Sequence, residues 1–206
     1  MSNSSTSTQD KRDRRRKVAA LLAGGLVVGV GTAATLAAWN DSEYAASTFT
    51  AGSFNMQGST DQSTFDEHTT STGAAGLAFS VPVANLSPSD VVYAPYALRL
   101  DADTTNGANV VVDSVTTTGT VTNLSYGVVT TSAAGCNAAA FAGGTSVVAD
   151  GTALSSIGSP TGFTLAKPVA PADGAPTYLC FKVTAGSGLT QGQSGAATWK
   201  FTATSN

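Results

Sequence analysis

Ala196-Ala197-Thr198-Trp199-Lys200-Phe201-Thr202-Ala203, residues 196–203, alternates apolar and polar side chains from Ala197 onward. A period of two sends Ala197, Trp199, Phe201 and Ala203 to one face and Thr198, Lys200 and Thr202 to the other, the pattern of a half-buried β-strand. The same period recurs upstream. Leu179, Phe181 and Val183 alternate with Cys180 and Lys182, and Tyr96, Leu98 and Leu100 with Ala97, Arg99 and Asp101. Leu77, Phe79, Val81 and Val83 alternate with Ala78, Ser80 and Pro82. Pro82 has no N–H for a ladder, which puts that run at a sheet edge or a bulge. Residues 49–56, 109–117 and 121–131 are further β-like runs. With no amphipathic helix to cover them, the apolar faces of these strands must meet sheet to sheet.

The expected fold is therefore all-β: a β-sandwich, with the jelly roll as a common way of building one, preceded by an N-terminal signal helix. Its expected core is Leu77, Phe79, Val81, Leu98, Leu100, Leu179, Phe181, Val183, Trp199 and Phe201. Loop-like segments rich in Gly, Asn, Asp, Ser and Pro separate the strands at 58–73, 103–107, 133–144, 151–162 and 166–176.

The amino end reads differently. Lys11, Arg12, Arg14, Arg15, Arg16 and Lys17 precede an apolar run over 18–30, and small residues follow to Ala37 and Ala38. Cations, a short apolar core and a small-residue exit are the parts of a secretory signal. The alternative is a retained membrane anchor. The uninterrupted apolar core falls short of the ~20 residues that a spanning helix needs, and Gly24, Gly25, Gly29 and Gly31 weaken the helix. The expected organisation is a signal over 1–37, a mature N-terminal segment over 38–47, and one sandwich domain over 48–206. The protein is then secreted, touching the membrane only through the uncleaved signal.

Beyond the signal, eleven acids face four bases, Arg99, Lys167, Lys182 and Lys200, giving a net charge of about −7. Four scattered cations make no footprint for nucleic acid or anionic lipid. Cys136 and Cys180 are the only cysteines; in an exported chain a distant pair reads as a disulfide, the alternative being two buried thiols.

One stretch carries a family pattern. Ala37-Ala38-Trp39-Asn40-Asp41, followed by Ser47-Thr48-Phe49-Thr50-Ala51-Gly52-Ser53-Phe54-Asn55-Met56, resembles the junction of TasA and camelysin-like proteins, which are processed by the SipW type of signal peptidase. The resemblance implies a cut between Ala37 and Ala38, a jelly-roll domain, and a place in the biofilm matrix or at the cell surface. It makes Phe49, Ala51, Gly52 and Phe54 the motif of a first strand starting near Thr48. Members of that family polymerise by donating an amino-terminal segment to a neighbour's sheet. Here residues 38–47 are the candidate donor strand, with Trp39 and Tyr44 as anchors. The implied partners are further copies of the chain, as a homopolymer, and the signal peptidase during export.

Catalytic chemistry finds little support. Some camelysin-like relatives have been classed as metalloproteases, but a zinc protease needs two or three ligands and a general base. The chain has one histidine, His68, in Phe65-Asp66-Glu67-His68-Thr69. No Gly-x-Ser-x-Gly elbow is evident, and 186–188 and 192–195 read as turns. Asp101, Asp103 and Asn106 have a loose calcium-loop spacing but lack the closing Glu, so a turn is the better reading. Asn85-Leu86-Ser87 and Asn123-Leu124-Ser125 match the glycosylation triplet, a common chance match in a Ser/Thr-rich chain. No catalytic residue, metal or cofactor is expected. The function expected is that of a secreted structural protein; the alternative is an extracellular adhesin or carbohydrate-binding module acting through loops such as 58–73.

Overall fold

A computed structural model of the chain describes residues 7–34, 42–80 and 83–206. They fall into two units, Met1–Phe49 and Thr50–Asn206. The first contains helix α1, Ser7–Ala34, which covers the basic cluster as well as the apolar run. It therefore starts eleven residues earlier than the apolar sequence alone suggests, because Lys and Arg are good helix formers. Among the described residues no helix is long and apolar enough to cross a membrane. Ala37, Ala38 and Trp39 lie outside the described residues.

The second unit is mostly β. Its strands are β1 (Met56–Ser59), β2 (Val91–Leu100), β3 (Ala108–Gly119), β4 (Leu124–Thr131), β5 (Thr145–Ala153), β6 (Phe163–Leu165), β7 (Thr177–Ala185) and β8 (Gly195–Ser205). One short helix, α2 (Ala138–Ala142), interrupts them; Asn137 caps it by accepting from the Ala140 N–H. The strands form two antiparallel sheets, β1-β2-β7-β4-β5 and β6-β3-β8. Inward side chains of both sheets meet in one core containing Leu98, Leu100, Val110, Val112, Tyr126, Val128, Leu179, Phe181 and Val183, all buried.

A register shift between Val112 and Ser114 sets how β3 faces the core. Before it, Val110 and Val112 are buried and Val111 and Asp113 exposed. After it, Val115 pairs with Trp199 and Thr117 with Ala197, so the inward parity moves by one residue.

Cys136 and Cys180 are bonded, tying the segment that carries α2 to the outer face of central strand β7. Lys182, next along that face, pairs with Asp150 at 2.6 Å and lies 5.4 Å from the Phe141 ring centroid.

Two expected strands are corrected. Residues 49–55 are not in a strand; the ladder starts at Met56, opposite Leu100. Strand β2 ends at Leu100, so the residues that precede Met56 have the loop after β2, and not a strand, beside them. Phe49 is 92 % exposed and Phe54 41 %. The run over 77–83 is likewise not a strand among its described residues: 77–79 are extended without a ladder, and Val83 opens a short 3-10 turn, Val83–Asn85, half exposed. Alternation does persist there, since Leu77 and Phe79 pack on the core while Ala78 and Ser80 are exposed. The described residues of this segment belong to neither sheet, so their backbone has no ladder partner. Ser80 donates its N–H to the Tyr93 carbonyl of β2 at 2.8 Å. Val81 lies outside the described residues.

Candidate strand-binding cleft and arm root

Strand β8 is the edge of the smaller sheet; among the described residues it pairs only with β3. Eleven residues long, it carries one charge, Lys200, which is held by Asp113 at 2.7 Å. The usual guards of a free edge, namely shortness, proline or a row of unpaired charges, are missing from it. Trp199 and Phe201 point inward from β8 yet are only half-buried. Trp199 packs on Phe181 with ring centroids 5.1 Å apart and on Tyr126 at 5.4 Å; Phe201 stacks on Tyr96 at 5.8 Å.

These rings stay half-open because a cleft of about 800 Å³ runs along β8. Leu77, Phe79 and Leu86, from the stretch between β1 and β2, line it, with Met56, Tyr96 and Leu98 from the larger sheet. His68, Thr69, Thr70 and Ser71 make one polar rim. Burial pushes the Tyr96 hydroxyl up from its ordinary value. The Trp199 Nε1 and Thr202 Oγ1 atoms, both on β8, are buried without a hydrogen-bond partner among the described residues. Orphaned polar atoms of this kind are few in a native fold, and each one costs stability. The cleft is mostly apolar, with the outer edge of β8 at its lip.

A second feature is the root of the amino-terminal arm. Ser53 bridges to Thr104 in parallel, and its carbonyl accepts from the Thr105 N–H at 3.1 Å. The Ser53 hydroxyl donates to the Asp103 carbonyl. Asn55 donates its N–H to Thr104 Oγ1 at 2.9 Å, and the Thr104 hydroxyl donates to the Asn55 carbonyl and to Asp101. The Asn55 amide nitrogen donates to Glu67 Oε1 at 2.8 Å and to Asp101 Oδ2 at 2.6 Å. That amide is the main reason the Asp101 carboxyl sits below its ordinary range; burial works against it, and Thr104 adds to the lowering. A Cβ at Gly52 would collide with the Thr105 side chain, so this approach needs glycine. The 52–55 part of the junction pattern is thus a latch onto the loop between β2 and β3, and not a strand.

The remaining sequence candidates do not converge. Asp66 closes an isolated bridge with Gly58, Glu67 accepts from Asn55, and His68 stands exposed at the cleft rim. Among the described residues no three His, Cys, Asp or Glu side chains come together as a metal site. Asp101 and Asp103 belong to the latch. Asn123 is held by Gly188, its amide donating to that carbonyl at 2.7 Å. Phe65 lies under the Arg99 guanidinium, 4.2 Å from centroid to Cζ, and Arg99 also pairs with Asp173 at 2.8 Å. Tyr44 is 92 % exposed. Sequence reasoning passed over the cleft itself. Its signal was in the chain, in the long uncharged runs of the last strand, but which edge lies open is set by packing. Compared with family models and with curated proteins, the chain matches none.

Proposed function

We propose that this chain is an exported, non-enzymatic structural protein of the extracellular matrix or cell surface that self-associates by strand addition. The observation that carries the proposal is β8: an eleven-residue edge with one charge, lying beside a cleft of about 800 Å³ lined by half-buried rings. An unpaired edge next to open apolar volume is satisfied by an extended segment whose backbone fills the ladder and whose side chains fill the cleft. The resemblance at 37–56 to TasA and camelysin-like proteins supplies the donor, the mature amino-terminal segment. Helix α1, with its cations ahead of an apolar run, is the leader in this reading, cut between Ala37 and Ala38 by a SipW-type peptidase. The interleaving of strands supports the jelly-roll form of the sandwich: β2 and β4 flank β7 in one sheet, while β3, between them in sequence, crosses to pair with β8.

The competing module reading loses support at loop 58–73. Its one Phe, Tyr or Trp side chain, Phe65, already has the Arg99 guanidinium over one face of its ring. Electron microscopy of the exported protein tests the proposal. Filaments that disappear when 38–49 is deleted are expected; monodisperse particles that bind glycan overturn it. Amino-terminal sequencing of the exported protein should begin at Ala38, and a start ahead of Val18 would refute the processing step.

A further inference from the structure

We infer that the cleft along β8 binds one neutral single-chain lipid, its apolar tail against Trp199, Phe201, Leu77 and Phe79 and its ester carbonyl on the Tyr96 hydroxyl. The inference does not rest on the strand-addition reading: a lipid fills the volume of the cleft and leaves the backbone edge of β8 as it is.

The polar end of the cleft carries the argument. Tyr96 is 9 % exposed, and its side chain lines the cleft. Burial alone acts on its hydroxyl, which no hydrogen bond reaches among the described residues, and the upward push keeps that group a donor at ordinary pH. A buried donor without an acceptor costs stability until a ligand supplies one. A Cβ at Gly58 would collide with that hydroxyl and stand 3.5 Å from His68 Nδ1, so the two polar atoms meet over one glycine. Gly58 lies opposite Leu98 in the ladder of β1 and β2, which puts Tyr96 on the same inward face. Polar groups that converge at one end of an apolar cleft are the usual form of a small-molecule site, and the cleft's volume of about 800 Å³ falls within the roughly 300–1,000 Å³ of such sites.

Charge selects the head group. Lys200 is the one Lys, Arg, Asp or Glu among the described residues of the lining, and Asp113 already holds it at 2.7 Å. Asp66 and Glu67 directly precede His68 in the chain. A carboxylate or phosphate head would stand near these acids without a cation, whereas an ester or hydroxyl head needs none. Shape selects the tail. Residues 195–201 of β8 line the cleft, a strand length of about 20 Å, and aromatic and aliphatic side chains wall it, so an extended chain of methylenes is the complement.

Calorimetric titration of the exported protein with monolauroylglycerol and with laurate, each below its micelle concentration, tests this. Monolauroylglycerol should saturate at one molecule per chain, and laurate should bind about tenfold more weakly or worse at neutral pH. Tyr96→Phe should weaken binding of the ester lipid roughly tenfold through the loss of one hydrogen bond. That variant removes a hydroxyl with no partner in the chain, so it folds. Tyr93→Phe, beside Phe141 and opposite Lys182 on the outer face, should leave the affinity unchanged. No saturable uptake of the ester lipid by the folded parent would overturn the site. Laurate bound as tightly as the ester would overturn the neutral head group, and an unchanged affinity in Tyr96→Phe would overturn the Tyr96 contact. Filament loss on deleting 38–49 reads the assembly proposal separately.

Discussion

Asn55 donates from one amide nitrogen to two carboxylates, Glu67 and Asp101, and its backbone N–H and carbonyl are both taken by Thr104. Replacing Asn55 with Ala removes two charge-assisted bonds at a partly exposed site, and about 1 kcal/mol of stability should be lost in thermal or urea unfolding. The effect should depend on pH with a definite sign. Asp101 is depressed in the folded protein, chiefly by Asn55, so its contribution is present above the ordinary value of 3.8 and fades as pH falls through the lower folded value. Parent and Asn55→Ala curves should therefore converge below about pH 4; curves that stay parallel to lower pH would show that the amide does not act through Asp101. Gly52→Ala should loosen the arm root with little global cost, seen as faster exchange at the Thr105 amide, because its Cβ would displace the Thr105 side chain. The Phe-x-Ala-Gly-x-Phe-Asn wording of the sequence pattern suggested a strand; what it encodes locally is close approach and hydrogen bonding to a loop. One-dimensional spacing carries no mark that tells these apart.

Among the elements, alternation was legible wherever a strand had one buried face and a length of seven or more residues. Strands β2, β7 and β8 read this way because Leu98 and Leu100, then Leu179, Phe181 and Val183, then Trp199 and Phe201, each hold one parity. Strand β5 escaped notice. Only Val147 and Val148 are buried in it, adjacent and not alternate, since register shifts break its pairing with β4. Three-residue β6 offers too little sequence to show a period. The segment at 77–79 shows the converse: its alternation is true to its burial, but burial of one face does not supply a hydrogen-bonding neighbour. The cleft was not legible for the same reason, as it depends on which strand ends up at the lip. Trp199→Ala should cost about 2–3 kcal/mol in unfolding measurements, below the usual range for a fully buried aromatic, because the ring is half-open to the cleft. A loss above about 4 kcal/mol would mean that the ring is fully enclosed in solution.

Across the whole molecule, the disulfide bears on stability and the charge on the proposed association. Cys136–Cys180 closes a loop spanning 44 residues, for which chain entropy suggests about 4 kcal/mol. Reduction should lower the denaturation midpoint accordingly, and an unchanged midpoint under full reduction would contradict this. If the chain is cut after Ala37 as proposed, its copies carry about −7 and repel one another, so the proposed strand addition should strengthen as salt is raised from low to physiological ionic strength. Weakening by salt would instead point to an interface held by ion pairs. Three of the four bases, Arg99, Lys182 and Lys200, are already paired within the chain, which leaves little for such an interface.

The arm root has a mechanical meaning. In a filament under tension, force arriving along the arm would run down the covalent chain into β1, whose ladder with β2 has only four residue pairs. The Asn55 and Ser53 latch would divert part of that pull sideways into the turn between β2 and β3. The joint would then yield before the sandwich does, and a stretched fibre would lengthen at its couplings while each subunit stays folded.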